Sequence, residues 1–145
     1  MSQKKKDIDQ LNSFLRGELS AVETYQQCIE KVSGDALTQQ LEALQKSHQL
    51  RARRLGERIR HLGGEPSDGS GVWGSFVKAV EGSAKLLGDK AAISALEEGE
   101  DHGRDDYLRD FGDLSADNRF FIEHEILPEQ KRTHDVLSKI QQDMS

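Results

Sequence analysis

Arg16-Gly17-Glu18-Leu19-Ser20-Ala21-Val22-Glu23-Thr24-Tyr25 lies inside a segment, Ile8 to Val32, whose apolar residues repeat at helical spacing. Ile8, Leu11, Leu15, Val22, Ile29 and Val32 form one seam in alternating three- and four-residue steps, and Glu18 and Tyr25 fill its two remaining positions. A carboxylate on that seam faces a core, where an unpaired charge is expensive. Something buried must meet it: a metal, a cation or a hydrogen-bond donor.

The pattern returns in Glu98-Gly99-Glu100-Asp101-His102-Gly103-Arg104-Asp105-Asp106-Tyr107. The stripe Leu11, Phe14, Glu18, Ala21, Tyr25 superposes on Ile93, Leu96, Glu100, Gly103, Tyr107. Gly17 and Gly99 each precede the seam glutamate, although a glycine inside a helix costs roughly 1 kcal/mol relative to alanine. Two matched exceptions point to close approach of neighbouring backbones.

Working outward, helix 1 is expected over about Asp7 to Val32, with Lys4 to Lys6 as a solvated tail. Gly34 and Asp35 then supply a stop and an N-cap, and so short a loop makes an antiparallel hairpin with helix 2, about Ala36 to Leu62. The helix 2 seam reads Leu41, Leu44, His48, Ala52, Leu55, Ile59, Leu62, with His48 where an apolar residue is due. Arg51, Arg53, Arg54, Arg58 and Arg60 suit the dipole of that helix's C-terminal half.

Gly63 to Gly74 reads as a Gly-rich linker in which Trp73 packs on one bundle end, and Ser75 to Leu87 as a short amphipathic helix. A connection this long carries the chain back along the bundle, so that helix 3 runs parallel to helix 2. Helix 3 covers about Lys90 to Phe111 with Asp89 as N-cap and an acidic outer face, which reads first as a solvated face and second as a partner for the helix 2 arginines. Helix 4 covers about Ala116 to Gln142, is kinked by Pro128, and turns Leu127, Gln130, His134 and Leu137 inward. The expected fold is therefore all-α: one domain over 1–145, with hairpins at 7–62 and 89–142 and a crossover at 63–88 holding an extra short helix.

With 34% hydrophobic and 32% charged residues, the composition suits amphipathic helices packed in a bundle. A net charge of -6 argues against nonspecific nucleic-acid or anionic-membrane binding, and no run is long enough for a transmembrane helix. Met1 to Lys6 lacks the apolar stretch of a secretory signal, and the single Cys28 forms no internal disulfide; both point to a cytoplasmic protein. Cys28 itself reads as a small packing residue.

Each hairpin thus brings one seam Glu and one seam His: Glu18 with His48, 30 residues on, and Glu100 with His134, 34 residues on. A pseudo-twofold axis places all four at one level, as ligands for one divalent ion, either iron, manganese or zinc. Tyr25, Gln45, Tyr107 and Lys131 flank them. The competing reading is metal-free: the two glutamates hydrogen-bond His48, His134, Tyr25, Tyr107 or Lys131.

Through the Gly-Glu-x6-Tyr repeat the sequence resembles ferritin-like, rubrerythrin-type bundles, in particular a small bacterial ferritin-like family of unknown function. The di-iron pattern of that superfamily puts one Glu on each of two helices and Glu-x-x-His on the other two. Here Gln45 and Lys131 stand three residues before His48 and His134, where metal-bridging carboxylates belong, and Glu125 or Glu129 would substitute only if the Pro128 kink re-aims them. The resemblance implies a degenerate di-iron-type bundle that binds one metal ion or none, with no assigned catalytic residue, a role in stress or metal handling, and a homodimer. A non-catalytic structural or interaction protein is the alternative, and an iron-dependent oxidase or peroxidase ranks third.

Overall fold

The computed structural model describes residues 2–69 and 88–144, and no strand occurs among them. Helix α1 spans Gln3–Lys31 and α2 Asp35–His61. Helix α3 spans Asp89–Asp110 and continues into a 3-10 turn, Phe111–Asp113. Helix α4 (Ala116–Phe121), a π turn (Ile122–Ile126) and α5 (Leu127–Asp143) follow one another without a break.

Lys4 to Lys6 belong to the first turns of α1 rather than to a tail, because the Ser2 hydroxyl accepts the Lys5 N–H and caps the helix there. The two expected aspartate caps also shift by one residue. Gly34 and Gly88 hold the N-cap positions with φ of 89° and 83°, conformations that glycine adopts without strain, and Asp35 and Asp89 fall in the first helical turns. Asp89 instead binds the end of the α1–α2 loop, accepting from the Ser33 N–H at 3.0 Å and the Ser33 hydroxyl at 2.8 Å.

Pro128 disturbs the last rod before its own position. Without an N–H it cannot close a normal helical bond, and the turn ahead of it widens so that the Leu127 N–H reaches Ile122 O. Arg54 steadies that turn by donating to the Glu125 carbonyl at 3.0 Å.

Pairings fix the helix directions. Glu18 meets His48 and Val22 O meets Gln45, so α1 and α2 are antiparallel. Asp101 meets His134 and Glu97 meets Ser138, so α3 and α5 are antiparallel. Tyr25 reaches Glu100 while Tyr107 reaches Glu18, so α1 opposes α3 and α2 runs parallel to α3. The described start of the crossover follows α1: Glu65 O accepts from Asn12, and the Ser67 hydroxyl accepts from Arg16. Trp73 and the expected helix Ser75 to Leu87 lie outside the described residues.

Two apolar clusters fill the interior. One gathers Cys28, Leu41, Leu44, Ile93, Leu96 and Leu137; the other gathers Leu11, Phe14, Leu55, Ile59, Ile122 and Ile126. Cys28 packs in the first as expected, and burial pushes its thiol up to about 11. A polar layer lies between the clusters.

Candidate functional site: the buried polar layer

Helix α1 brings Glu18 to this layer, α2 brings His48 and Arg51, α3 brings Glu100, and α5 brings Thr133; all five are buried. His48 bridges the two carboxylates, with Nδ1 2.6 Å from Glu18 Oε1 and Nε2 2.6 Å from Glu100 Oε1. An ionised carboxylate only accepts, so both ring nitrogens must donate and His48 is an imidazolium. Tyr107 donates to Glu18 Oε2 at 2.7 Å and Tyr25 to Glu100 Oε1 at 2.8 Å. Each tyrosine of the repeat thus serves the glutamate of the other copy.

Arg51 is wholly buried in the layer. Its Nε lies 3.3 Å from Glu18 Oε2, and its Nη2 donates to Thr133 Oγ1 at 3.3 Å, while the Thr133 hydroxyl donates to Glu100 Oε2 at 3.1 Å. Nη2 also stands 2.6 and 2.9 Å from the two ring nitrogens of His48. Neither nitrogen of an imidazolium has a lone pair to offer, so this is a contact between two cations that the flanking carboxylates hold together. Two carboxylates, one imidazolium and one guanidinium sum to zero charge.

The electrostatics agree with that count. Burial alone pushes the Glu18 carboxyl up, but the charges of Arg51 and His48 and the bonds from His48 and Tyr107 bring it below its ordinary value. Burial likewise opposes ionisation of Glu100, yet His48, Arg51 and Tyr25 take it down to about 2. For His48, burial and the Arg51 charge both favour the neutral ring; the two carboxylates outweigh them and raise its pKa. Burial and the adjoining glutamates push both tyrosines well above their ordinary value, so they remain neutral donors.

Gly17 and Gly99 line two cavities beside the layer, of about 40 and 30 Å³. Arg51 and Gln130 line the larger one, and Arg51 Nε and Nη1 and Gln130 Nε2 have no hydrogen-bond partner among the described residues. That volume suffices for ordered water to complete those donors.

Of the four expected ligands, Glu18, His48 and Glu100 come together, and His134 does not join them. It is rotated one position around α5 onto the outer α3–α5 groove, where Nε2 is 2.5 Å from Asp101 Oδ1; the inward place belongs to Thr133. Tyr25 and Tyr107 flank the layer as expected, but Gln45 and Lys131 do not. Gln45 donates to Val22 O and Gln26, one turn away, and Lys131 is exposed with Asp135. Glu125 and Glu129 stay outside as well, beside Arg54 and Arg132. Nor do the helix 2 arginines meet the acidic face of α3: Arg54 and Arg58 reach Glu125 and Asn118, while Asp101, Asp105, Asp106 and Asp110 meet Arg104 and Arg109 of their own helix.

Sequence reasoning missed Arg51 and Thr133. A regular count from each seam glutamate finds both: His48 and Arg51 stand 30 and 33 residues after Glu18, and Gln130 and Thr133 stand 30 and 33 after Glu100.

The donors also decide whether a metal fits the layer. Both nitrogens of His48 are spent on carboxylates, Arg51 presses against the ring, and each glutamate already has its cation. A divalent ion would have to deprotonate His48 and sit against a guanidinium, so the residues present do not fit one.

A family described as a domain of unknown function (DUF2383) matches residues 6–109. The match spans most of α1, all of α2 and nearly all of α3, including both glutamates, both tyrosines, His48 and Arg51, and the chain belongs to that family. No curated protein and no solved structure matches the chain.

Proposed function

Starting from membership in a family whose description names no activity, we propose that this protein is a ferritin-like bundle acting as a non-catalytic structural or interaction module. Its central layer is neutralised by its own side chains instead of by metal. Arg51 carries the reading: a fully buried guanidinium stands among the very carboxylates a metal would need. Support for the ferritin-like architecture comes from the antiparallel α1–α2 and α3–α5 pairs, joined between opposite ends of the bundle as in folds with one long crossover. Support for the absence of di-iron oxidase chemistry comes from Gln45 and Lys131, which occupy the bridging positions of that pattern and face elsewhere.

Thermal melts test the proposal. Chelator treatment should shift the midpoints of native protein and of Glu100→Gln by the same amount. Any stabilisation by ferrous, manganous or zinc ions should be undiminished in Glu100→Gln. A midpoint that falls on chelation, together with loss of the metal gain in Glu100→Gln, would place the ion in the layer and overturn the proposal.

A further inference from the structure

A different set of side chains lies on the outer groove between α3 and α5. Glu97 and Asp101 are one turn apart on α3, and His134 and Ser138 one turn apart on α5, so they pair as a two-rung ladder. One ligand atom from each of Glu97, Asp101 and His134 falls within 4.8 Å of the others. Ser138 donates to Glu97 Oε1 at 2.6 Å, which orients the carboxylate, while Glu97 Oε2 is buried with no hydrogen-bond partner among the described residues. A carboxylate oxygen shielded from water and given no donor is costly to keep. A cation at this spot would satisfy it.

We infer that Glu97, Asp101 and His134 form a divalent-metal site suited to Zn²⁺. One imidazole nitrogen and two carboxylate oxygens match the ligand preferences of zinc, whereas calcium and magnesium favour oxygen alone. The two carboxylates balance the charge of the ion, and three protein ligands leave a fourth position for water. Nδ1 of His134 points toward Asp135, 3.7 Å away, the kind of carboxylate partner that orients a ligating imidazole. Binding requires the ring to present the Nε2 lone pair to the ion and to carry its proton on Nδ1, toward Asp135. It also displaces Arg104, whose Nη1 is 3.1 Å from His134 Nε2. The Arg104 side chain is 40% exposed and already bonded to Asp105, so it can swing clear.

Calorimetric titration of zinc chloride into chelator-treated protein decides the matter. Native protein should take up one ion per chain. His134→Ala and Glu97→Gln should weaken binding by more than the roughly 10–100-fold that an outer-sphere partner costs. Arg104→Ala should tighten it, and Glu100→Gln should leave it unchanged. All of these except Glu100 are partly exposed, and unchanged circular dichroism checks that the variants fold. No uptake by native protein, or native-like uptake by His134→Ala and Glu97→Gln, would overturn the inference, as would weaker binding in Arg104→Ala. Loss of uptake in Glu100→Gln with retention in His134→Ala would overturn both this inference and the metal-free layer.

Discussion

Helices α2 and α5 occupy matching places beside the two copies of the Gly-Glu-x6-Tyr repeat, yet they bring opposite chemistry. Next to α1, α2 supplies His48 and Arg51, both cationic; next to α3, α5 supplies Gln130 and Thr133, both neutral. Two carboxylates require two positive charges. With both cations on α2, a second pair on α5 would leave the layer with an excess of two. The repeat preserves its acids and tyrosines, and its partner helices divide the labour. The crossed Tyr25–Glu100 and Tyr107–Glu18 bonds then make each half depend on the other.

The largest effect expected from breaking this asymmetry is at Arg51. Arg51→Met leaves a buried negative charge uncompensated and should cost about 3–5 kcal/mol in urea unfolding. Its positional counterpart, Thr133→Val, should cost less, about 1.5–3 kcal/mol, the scale of one hydrogen bond to a buried charge. Similar losses at the two positions would mean that the two halves share the load equally.

The acid limb of stability sharpens the same point. Glu100 has a folded-state pKa near 2, below its ordinary 4.5, so its contribution is complete above 4.5 and is lost as pH falls toward 2. Glu18 is lowered too and acts in the same direction. His48 is raised above 6.5, so its contribution is complete below 6.5 and is lost as pH rises through the folded value. Urea midpoints measured from pH 2 to 5 should therefore fall less steeply for Glu100→Gln than for native protein. An identical acid limb would show that Glu100 is not ionised in the layer.

A smaller, symmetric effect belongs to the tyrosines. Tyr25→Phe and Tyr107→Phe each remove one hydrogen bond to a buried carboxylate and should each cost about 1.5–3 kcal/mol. A large difference between them, measured by chemical denaturation, would show that the crossed bonds are not equivalent.

Most of the helical layout was readable from periodicity, since the apolar seams of α1 and α2 are long and regular. The repeat marked Glu18 and Glu100 as facing each other across the core, with Tyr25 and Tyr107 flanking them. What escaped was angular position. On α2 the seam admits either Ala52 or Arg51 after His48, and apolarity favours the alanine; the layer takes the arginine because two buried carboxylates demand a second cation. On α5, Thr133 and His134 are neighbours about 100° apart, and a histidine draws attention that a threonine does not. The turn that absorbs Pro128 lies just ahead of them, so extrapolating the helical phase from Leu127 was least dependable there.

Nitrogen NMR of the His48 ring tests the central claim most directly. A layer balanced by its own cations requires the imidazolium, so both ring nitrogens should show protonated-type shifts at pH 6.5, where an ordinary histidine is half neutral, and the ring should titrate above that value. A neutral ring at pH 6.5, with one unprotonated nitrogen free to take a metal, would contradict the account.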